Sequence, residues 1–137
     1  MAFFNPATQD VTTRSSFTVS TQLSGTLPAT SANYQRFWTA PAKCVVDSVV
    51  ASWATASSSG TLQVEKVPSG TAQASGTNLL TATISTAGAA DTNNTGTLSA
   101  TAATLELAAG DSLALVDGGT LTSLVSLTVT VGLHWIP

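Results

Sequence analysis

Residues 125–135 read VSLTVTVGLHW, and this stretch decides the fold class. Apolar and polar side chains alternate strictly along it. One set comprises Val125, Leu127, Val129, Val131, Leu133 and Trp135, and the other comprises Ser126, Thr128, Thr130, Gly132 and His134. Successive side chains of a β-strand point to opposite faces of its sheet, so the alternation predicts a strand with one face in a core.

Two other segments alternate in the same way, and a third is apolar almost throughout. Phe17, Val19 and Leu23 alternate with Thr18, Ser20 and Gln22, and Leu62 and Val64 alternate with Gln63 and Glu65. We predict two strands here whose polar residues form an outer face. Residues 44–53 are more uniformly apolar apart from Asp47, which favours a central strand covered on both faces. Further strands are predicted at residues 33–39, 79–85, 96–99, 104–107 and 111–116.

Glycine residues punctuate these segments. A Gly-Thr-Leu phrase begins at Gly25, Gly60, Gly96 and Gly119, and each phrase predicts a turn that leads into a strand. Short strands interrupted in this way are typical of antiparallel sandwiches. With about eight or nine short strands, the sequence predicts an all-β, jelly-roll-like antiparallel β-sandwich.

The turn at residues 108–111, which reads AAGD between two Leu-x-Leu segments, predicts a tight hairpin. A helix within the alanine-rich residues 98–109 is the alternative. Threonines and flanking glycines disfavour that helix, because β-branched residues and glycine both lower helix propensity.

Length and composition predict one domain with no affinity for nucleic acid. A chain of 137 residues builds one core, and 43% hydrophobic residues argue against disorder. Residues 15–137 are expected to form the β-sandwich, and residues 1–14, which show no periodicity, an N-terminal arm. Lys and Arg together number four, are scattered, and leave a net charge of -3, whereas nucleic-acid binding needs clustered basic residues.

The sequence also predicts a soluble protein made in the cytoplasm. The first residues lack the basic and apolar regions of a secretory signal, and no segment approaches the roughly 20 apolar residues of a membrane span. No membrane partner is therefore expected. Cys44 is the only cysteine and lies within an apolar run, so we expect a buried, structural thiol.

No arrangement of residues predicts catalysis. His134 is the only histidine, and a catalytic role would require a carboxylate such as Asp10 or Asp111 beside it and a nucleophile within reach. The chain has no Gly-x-Ser-x-Gly nucleophile motif. We therefore expect a protein that is not an enzyme.

The seven carboxylates are too dispersed to predict a metal site or a glycosidase pair. Residues 91–94, DTNN, and 117–119, DGG, offer oxygen atoms to a calcium ion, but Asp and Asn beside Gly are first of all turn formers. We interpret both segments as turns and expect no metal and no cofactor.

Aromatic residues suggest an interaction surface at the chain ends. Trp38 and Trp53 lie in apolar segments and are expected in the core. Four other apolar residues lie near the two termini, namely Phe3, Phe4, Trp135 and Ile136. They form a candidate interface with a capsid or with a second copy of the chain, since an apolar surface on a soluble protein marks a partner. The other interpretation is that both ends fold back onto the sandwich.

Four segments resemble small proteins encoded among the head genes of tailed bacteriophages, some of which are capsid decoration, or cement, proteins. The segments are residues 51–66 (ASWATASSSGTLQVEK), 76–80 (GTNLL), 94–98 (NTGTL) and 107–115 (LAAGDSLAL). The resemblance covers roughly residues 36–133 and leaves the termini unmatched, so no binding residue is carried over from the family.

The resemblance implies a jelly-roll-like structural protein on the exterior of a virion. Such a protein binds the major capsid protein, bridges neighbouring subunits, associates with itself as a dimer or trimer, and is made in the cytoplasm of the host bacterium. The alternative is a glycan-binding or receptor-binding module of a phage head or tail fibre, in which Trp135 would stack on a sugar ring.

Overall fold

The computed structural model describes residues 16–26 and 33–137, which form ten β-strands. The six long strands are β1 (Ser16–Thr26), β2 (Asn33–Thr39), β3 (Cys44–Ser52), β4 (Thr61–Val67), β9 (Ser112–Gly118) and β10 (Val125–Trp135). The four short strands are β5 (Thr77–Asn78), β6 (Ile84–Ser85), β7 (Asn94–Thr95) and β8 (Glu106–Leu107). A 3-10 turn spans Gln73–Ser75, and one helical turn spans Ala102–Leu105.

The strands form two antiparallel sheets that pack face to face. Sheet A has the order β1-β10-β3-β7, with β8 also pairing with β3, and sheet B has the order β2-β9-β4-β5, with β6 also pairing with β4. The chain alternates between the sheets from β1 to β4, and the first strand pairs with the last. This order is that of a jelly roll, so the predicted fold class is confirmed.

The core lies between the two sheets and is built by the predicted alternation. In β10, Leu127, Val129, Val131 and Leu133 are each at most 1% exposed. Val125 and Trp135, at the ends of the strand, are only half-buried. The polar residues of β10 lie on the outer face of sheet A. Strict alternation therefore identified the buried face correctly, and the strand ends mark the rim of the core.

A β-bulge explains the apolar run in β3. Gly132 lies opposite Ser48 and Leu133 lies opposite Val46, so Asp47 is an extra residue in the β3–β10 ladder. The side-chain alternation changes phase there, which buries Val46 before the bulge and Val49 after it. β3 is a central strand, as predicted, but the expectation that both faces are covered is wrong, because its outer-face residues are half-buried or exposed.

The predicted hairpin at residues 105–115 does not form. β8 pairs with β3 in sheet A, whereas β9 pairs with β2 and β4 in sheet B. Leu107 and Leu113 are both fully buried, and they reach the core from opposite sheets. The turn is closed by the Asp111 N–H, which donates to Ala108 O at 3.0 Å, and Gly110 has a φ of 94°. The turn therefore carries the chain across the core instead of folding it back within one sheet.

The outer face of sheet B is covered along β4. The sequence placed Gln63 and Glu65 on a polar outer face, but they are only 6% and 8% exposed. Val67 and Ala114 are also buried, yet neither belongs to the main core. Neighbouring residues pack against this side of β4: Gly76 lies against Glu65 and Val67, and the Gln63 carboxamide bonds the backbone of Leu80. The prediction of a strand with polar residues on its outer face is correct for β1, where Thr18, Ser20 and Gln22 are exposed. It is wrong for β4.

Candidate functional site

Three aromatic rings meet at one end of the sandwich. Ser16 lies opposite His134 in the β1–β10 ladder, so β1 begins where β10 ends. The Phe17 ring stacks on the Trp135 ring, with centroids 4.2 Å apart and planes inclined by 18°. Trp38, from sheet B, lies 5.7 Å from Phe17 and 6.4 Å from Trp135. Phe17, Trp38 and Trp135 are called the aromatic cluster below.

The aromatic cluster forms the rim of the core and is partly open to solvent. All three side chains are half-buried and pack against the buried core residues. Each lies near a strand end, where the two sheets no longer cover a side chain completely. Rings of this kind combine a large apolar area with low side-chain entropy, which suits them to contact with another macromolecule.

The structure places Trp135 and Ile136 together in this region. Ile136 follows Trp135, is half-buried, and its N–H donates to Lys43 O at 3.1 Å. Phe3 and Phe4, the other two members of the predicted interface, lie outside the described residues, as does the predicted arm at residues 1–14.

Two members of the aromatic cluster were not predicted from the sequence. Trp38 was expected in the core, but it is half-buried, whereas Trp53 is 2% exposed as predicted. Phe17 was identified as an inward-facing strand residue without a role. Position along the strand was the available signal, because Phe17 is the second residue of β1 and Trp38 is the sixth of seven in β2.

Charged residues at this end of the sandwich link the two sheets. The Lys43 ammonium group lies 3.3 Å from the Glu106 carboxylate, and both side chains are exposed. The Lys66 ammonium group, from sheet B, donates to Ala103 O at 3.1 Å and to Glu106 O at 2.9 Å. Lys66 therefore bonds carbonyl groups at the helical turn and β8, which adds a polar connection beside the aromatic cluster.

Cys44 is fully buried in β3, next to Trp135 in the ladder. Burial disfavours the charged thiolate and, with a smaller contribution from the Asp111 carboxylate, raises the pKa of the thiol to about 11. A thiol that stays protonated is a weak nucleophile and a poor metal ligand. The prediction of a buried, structural cysteine is confirmed.

His134 pairs with Asp47 on the outer face of sheet A. Its Nδ1 atom lies 2.8 Å from both carboxylate oxygens of Asp47. The carboxylates considered from the sequence were Asp10, which lies outside the described residues, and Asp111, which instead accepts a hydrogen bond from the Ala108 N–H at 2.9 Å. The bulge in β3 places the Asp47 side chain beside His134. The contact was not predicted, because no sequence pattern indicates the bulge.

Hydrogen bonds within the loop and to Trp53 hold the loop at residues 86–95. The Asp91 N–H donates to Trp53 O at 2.8 Å, with Asp91 at a φ of 53°. The Thr92 hydroxyl donates to Ala90 O at 3.0 Å, and the Asn94 amide donates to Thr92 O at 2.9 Å. These bonds are those of a tight turn, in agreement with the turn interpretation. Within residues 16–26 and 33–137, no cluster of three or more His, Cys, Asp or Glu side chains is arranged to hold a metal ion.

Comparison with known proteins gives one likeness of fold. No protein-family model matches the chain, and no curated protein matches it. Among solved structures, the chain is similar to a chain of the capsid asymmetric unit of cyanophage Pam1, with a TM-score of 0.51 and 15% sequence identity. The match covers 88% of this chain and 84% of that chain. No helix in the part of the chain that the structure describes is long and apolar enough to cross a membrane.

Proposed function

We propose that this chain is a structural virion protein that binds the outer surface of a phage capsid as a decoration protein. In this role it stabilises the shell by bridging neighbouring major capsid subunits. The observation that carries the proposal is the jelly-roll fold, which matches a chain of a phage capsid over 88% of its length. The resemblance of four sequence segments to phage head proteins supports the same role.

The aromatic cluster and Ile136 are the proposed contact region. They provide a partly open apolar area at the end of the sandwich where β1 begins and β10 ends. Phe3 and Phe4 are proposed to extend this contact from the N-terminal segment. Such contacts are little affected by salt, because only 8% of the residues of this chain are charged.

Shell stabilisation then follows from linkage. A protein that binds the assembled shell, and not the free subunits, shifts the assembly equilibrium toward the shell. Because the shell is symmetric, each copy of a self-associating decoration protein is held by several linked contacts, so that a modest interface per copy is sufficient. The proposed protein is non-enzymatic and requires neither cofactor nor nucleic acid.

The first test is the copy number of the protein in purified particles, measured by quantitative mass spectrometry against the major capsid protein. We expect a simple ratio to the number of capsid subunits, because a symmetric coat occupies every equivalent position. A handful of copies per particle would contradict a coat and indicate a fibre component. Absence from particles would contradict a virion role.

The second test addresses the contact region. Purified protein is added to shells that lack it, and bound protein is measured by sedimentation at several NaCl concentrations. We expect Ile136→Ser to weaken attachment about tenfold, the loss that burying one large aliphatic side chain would predict. The matched control is Val50→Ser, a half-buried aliphatic residue of β3 on the outer face of sheet A. Equal effects of the two variants, or steep release by salt, would contradict this contact region.

A glycan-binding or receptor-binding module is the second candidate function. Its support is the partial exposure of Trp38 and Trp135, since sugar rings stack on tryptophan faces. Saturable quenching of tryptophan fluorescence by a glycan, lost in Trp135→Ala, would favour this function over the coat.

A further inference from the structure

The first strand, β1, is an outer strand of sheet A. It pairs along one side with β10, in regular register from Ser16 to Leu23 and with a register shift between Leu23 and Thr26. No other strand of the described residues pairs with its opposite side. In an antiparallel ladder, alternate residues direct their N–H and C=O groups to each side of the strand. About half of the backbone groups of β1 therefore lie along the outer edge.

This edge has only one of the features that protect edge strands in other proteins, the register shift near its end. The eleven residues of β1, SFTVSTQLSGT, include no charged residue and no proline. Exposed sheet edges are usually short, bulged, or marked by charge or proline, because an unprotected edge pairs with another strand.

Every other sheet edge that the structure describes carries a charge or is very short. On sheet B, β2 contains Arg36 and has a register shift at Phe37. The short strands β5, β6, β7 and β8 have two residues each. β1 differs from all of them in being long and uncharged.

Symmetry identifies the partner that suits this edge. A strand with no charge offers no electrostatic preference for a foreign partner and no repulsion toward its own kind. Antiparallel pairing of two identical strands obeys a two-fold axis and therefore closes at two copies. Thr21 is the middle residue of β1, and a ladder centred there pairs residues 19–23 of both strands, which lie within the part of β1 in regular register with β10.

We propose that β1 pairs with β1 of a second copy, so that sheet A continues across a two-fold dimer with Thr21 on the axis. In this register Ser20 lies opposite Gln22 of the second copy, and Gln22 lies opposite its Ser20. Both side chains are exposed on the outer face of sheet A, so changing them leaves the core intact. The dimer does not depend on the shell-binding role, because it forms in the free protein.

The test uses two variants of the full chain that differ at one residue, position 22. Ser20→Lys with Gln22→Lys places like charges directly opposite each other, which weakens a ladder. Ser20→Lys with Gln22→Glu places opposite charges there and is the matched control. Mass is measured by analytical ultracentrifugation across micromolar concentrations at low and high salt, with circular dichroism to establish that each variant folds.

We expect the unaltered protein to sediment at twice the 13.8 kDa of one chain. The double-lysine variant should dissociate with a dissociation constant about tenfold higher or more, and salt should restore part of the dimer by screening. The lysine–glutamate variant should remain a dimer. A monomeric or trimeric unaltered protein would overturn the proposal, and so would a double-lysine variant that dimerises normally.

Discussion

The outer faces of the two sheets differ although the sequence patterns behind them are alike. In both β10 and β4, apolar residues alternate with polar ones. On sheet A the polar residues of β10, such as Thr128 and Thr130, remain partly accessible. On sheet B, Gln63 and Glu65 of β4 are less than one-tenth exposed. Alternation thus identifies which side of a strand is polar but does not reveal whether another segment covers it.

The covered face contains polar groups that must be satisfied without water. The Gln63 carboxamide accepts from the Leu80 N–H at 3.1 Å and donates to Leu80 O at 3.3 Å, so it bonds both backbone groups of one residue. The Glu65 Oε2 atom is buried and has no hydrogen-bond partner among the described residues. Burial raises the pKa of the Glu65 carboxyl, because the charged form is poorly solvated there.

The largest expected difference between the faces comes from adding one methyl group to each. A Cβ atom at Gly76 would lie 2.6 Å from Glu65 Oε2 and 3.0 Å from Val67 Cγ2. We expect Gly76→Ala to lower the free energy of unfolding by about 1–3 kcal/mol, because both neighbouring side chains are buried. Urea denaturation measures the change.

The matched control is Gly132→Ala on the open face of sheet A. The added Cβ would lie 2.5 Å from Ser48 Oγ, but that hydroxyl is free to rotate toward solvent. We expect a change within about 0.5 kcal/mol. Similar losses in the two variants would contradict the distinction between a covered and an open face.

A smaller effect is expected from removing the buried charge. A carboxyl with a raised pKa in the folded protein favours its neutral form, so its stabilising contribution is complete below the ordinary glutamate pKa and is lost as the pH rises through the raised value. We expect Glu65→Gln to match the unaltered protein at low pH and to be about 1 kcal/mol more stable at neutral pH. Unfolding by urea across this pH range measures the difference.

Glu106→Gln is the control for that comparison. The Glu106 carboxylate is partly exposed and lies 3.3 Å from the Lys43 ammonium group, so its removal should destabilise by no more than about 0.5 kcal/mol at neutral pH. If the Glu65→Gln curve runs parallel to that of the unaltered protein at every pH, Glu65 is not a buried charge.

The smallest effect is expected on the open face, at the Asp47–His134 pair. Although Nδ1 of His134 lies 2.8 Å from the carboxylate, the side chains are 45% and 22% exposed for Asp47 and His134. Water and salt screen such a pair, so Asp47→Asn should lower the free energy of unfolding by less than about 1 kcal/mol. A double-mutant cycle with His134→Gln isolates the coupling. A coupling above about 2 kcal/mol would place the pair in a buried environment.

The aromatic cluster and Ile136 were partly predictable from the sequence. Trp135 and Ile136 were identified from their place at the chain end, and the structure brings Trp135 against Phe17 and Trp38. Neither contact was predicted, because Phe17 and Trp38 lie 118 and 97 residues away from Trp135 along the chain. Periodicity within one strand contains no information about which other strands meet its end.

The roles of the glycine residues were also only partly predicted. The Gly-Thr-Leu phrases were interpreted as turns, and Gly119 has a φ of 67°, as a turn glycine often does. Gly60 and Gly96 instead lie where a Cβ would collide with side chains from other segments, Leu121 and Thr86 at Gly60 and Leu80 at Gly96. Local sequence reports turn chemistry, but it does not report close packing between distant segments.

The sequence by itself determined the six long strands, the core-facing sides of β1, β4 and β10, and the fold class, because alternation with period two is a local property of a strand. The short strands between residues 77 and 107 were not predicted with their observed bounds. Tertiary structure alone decided the bulge at Asp47, the crossing at residues 108–111, the cover over Glu65 and the aromatic cluster. Each of these depends on contacts between segments far apart in the chain. Their energies are set by packing and desolvation in three dimensions, which no local pattern encodes.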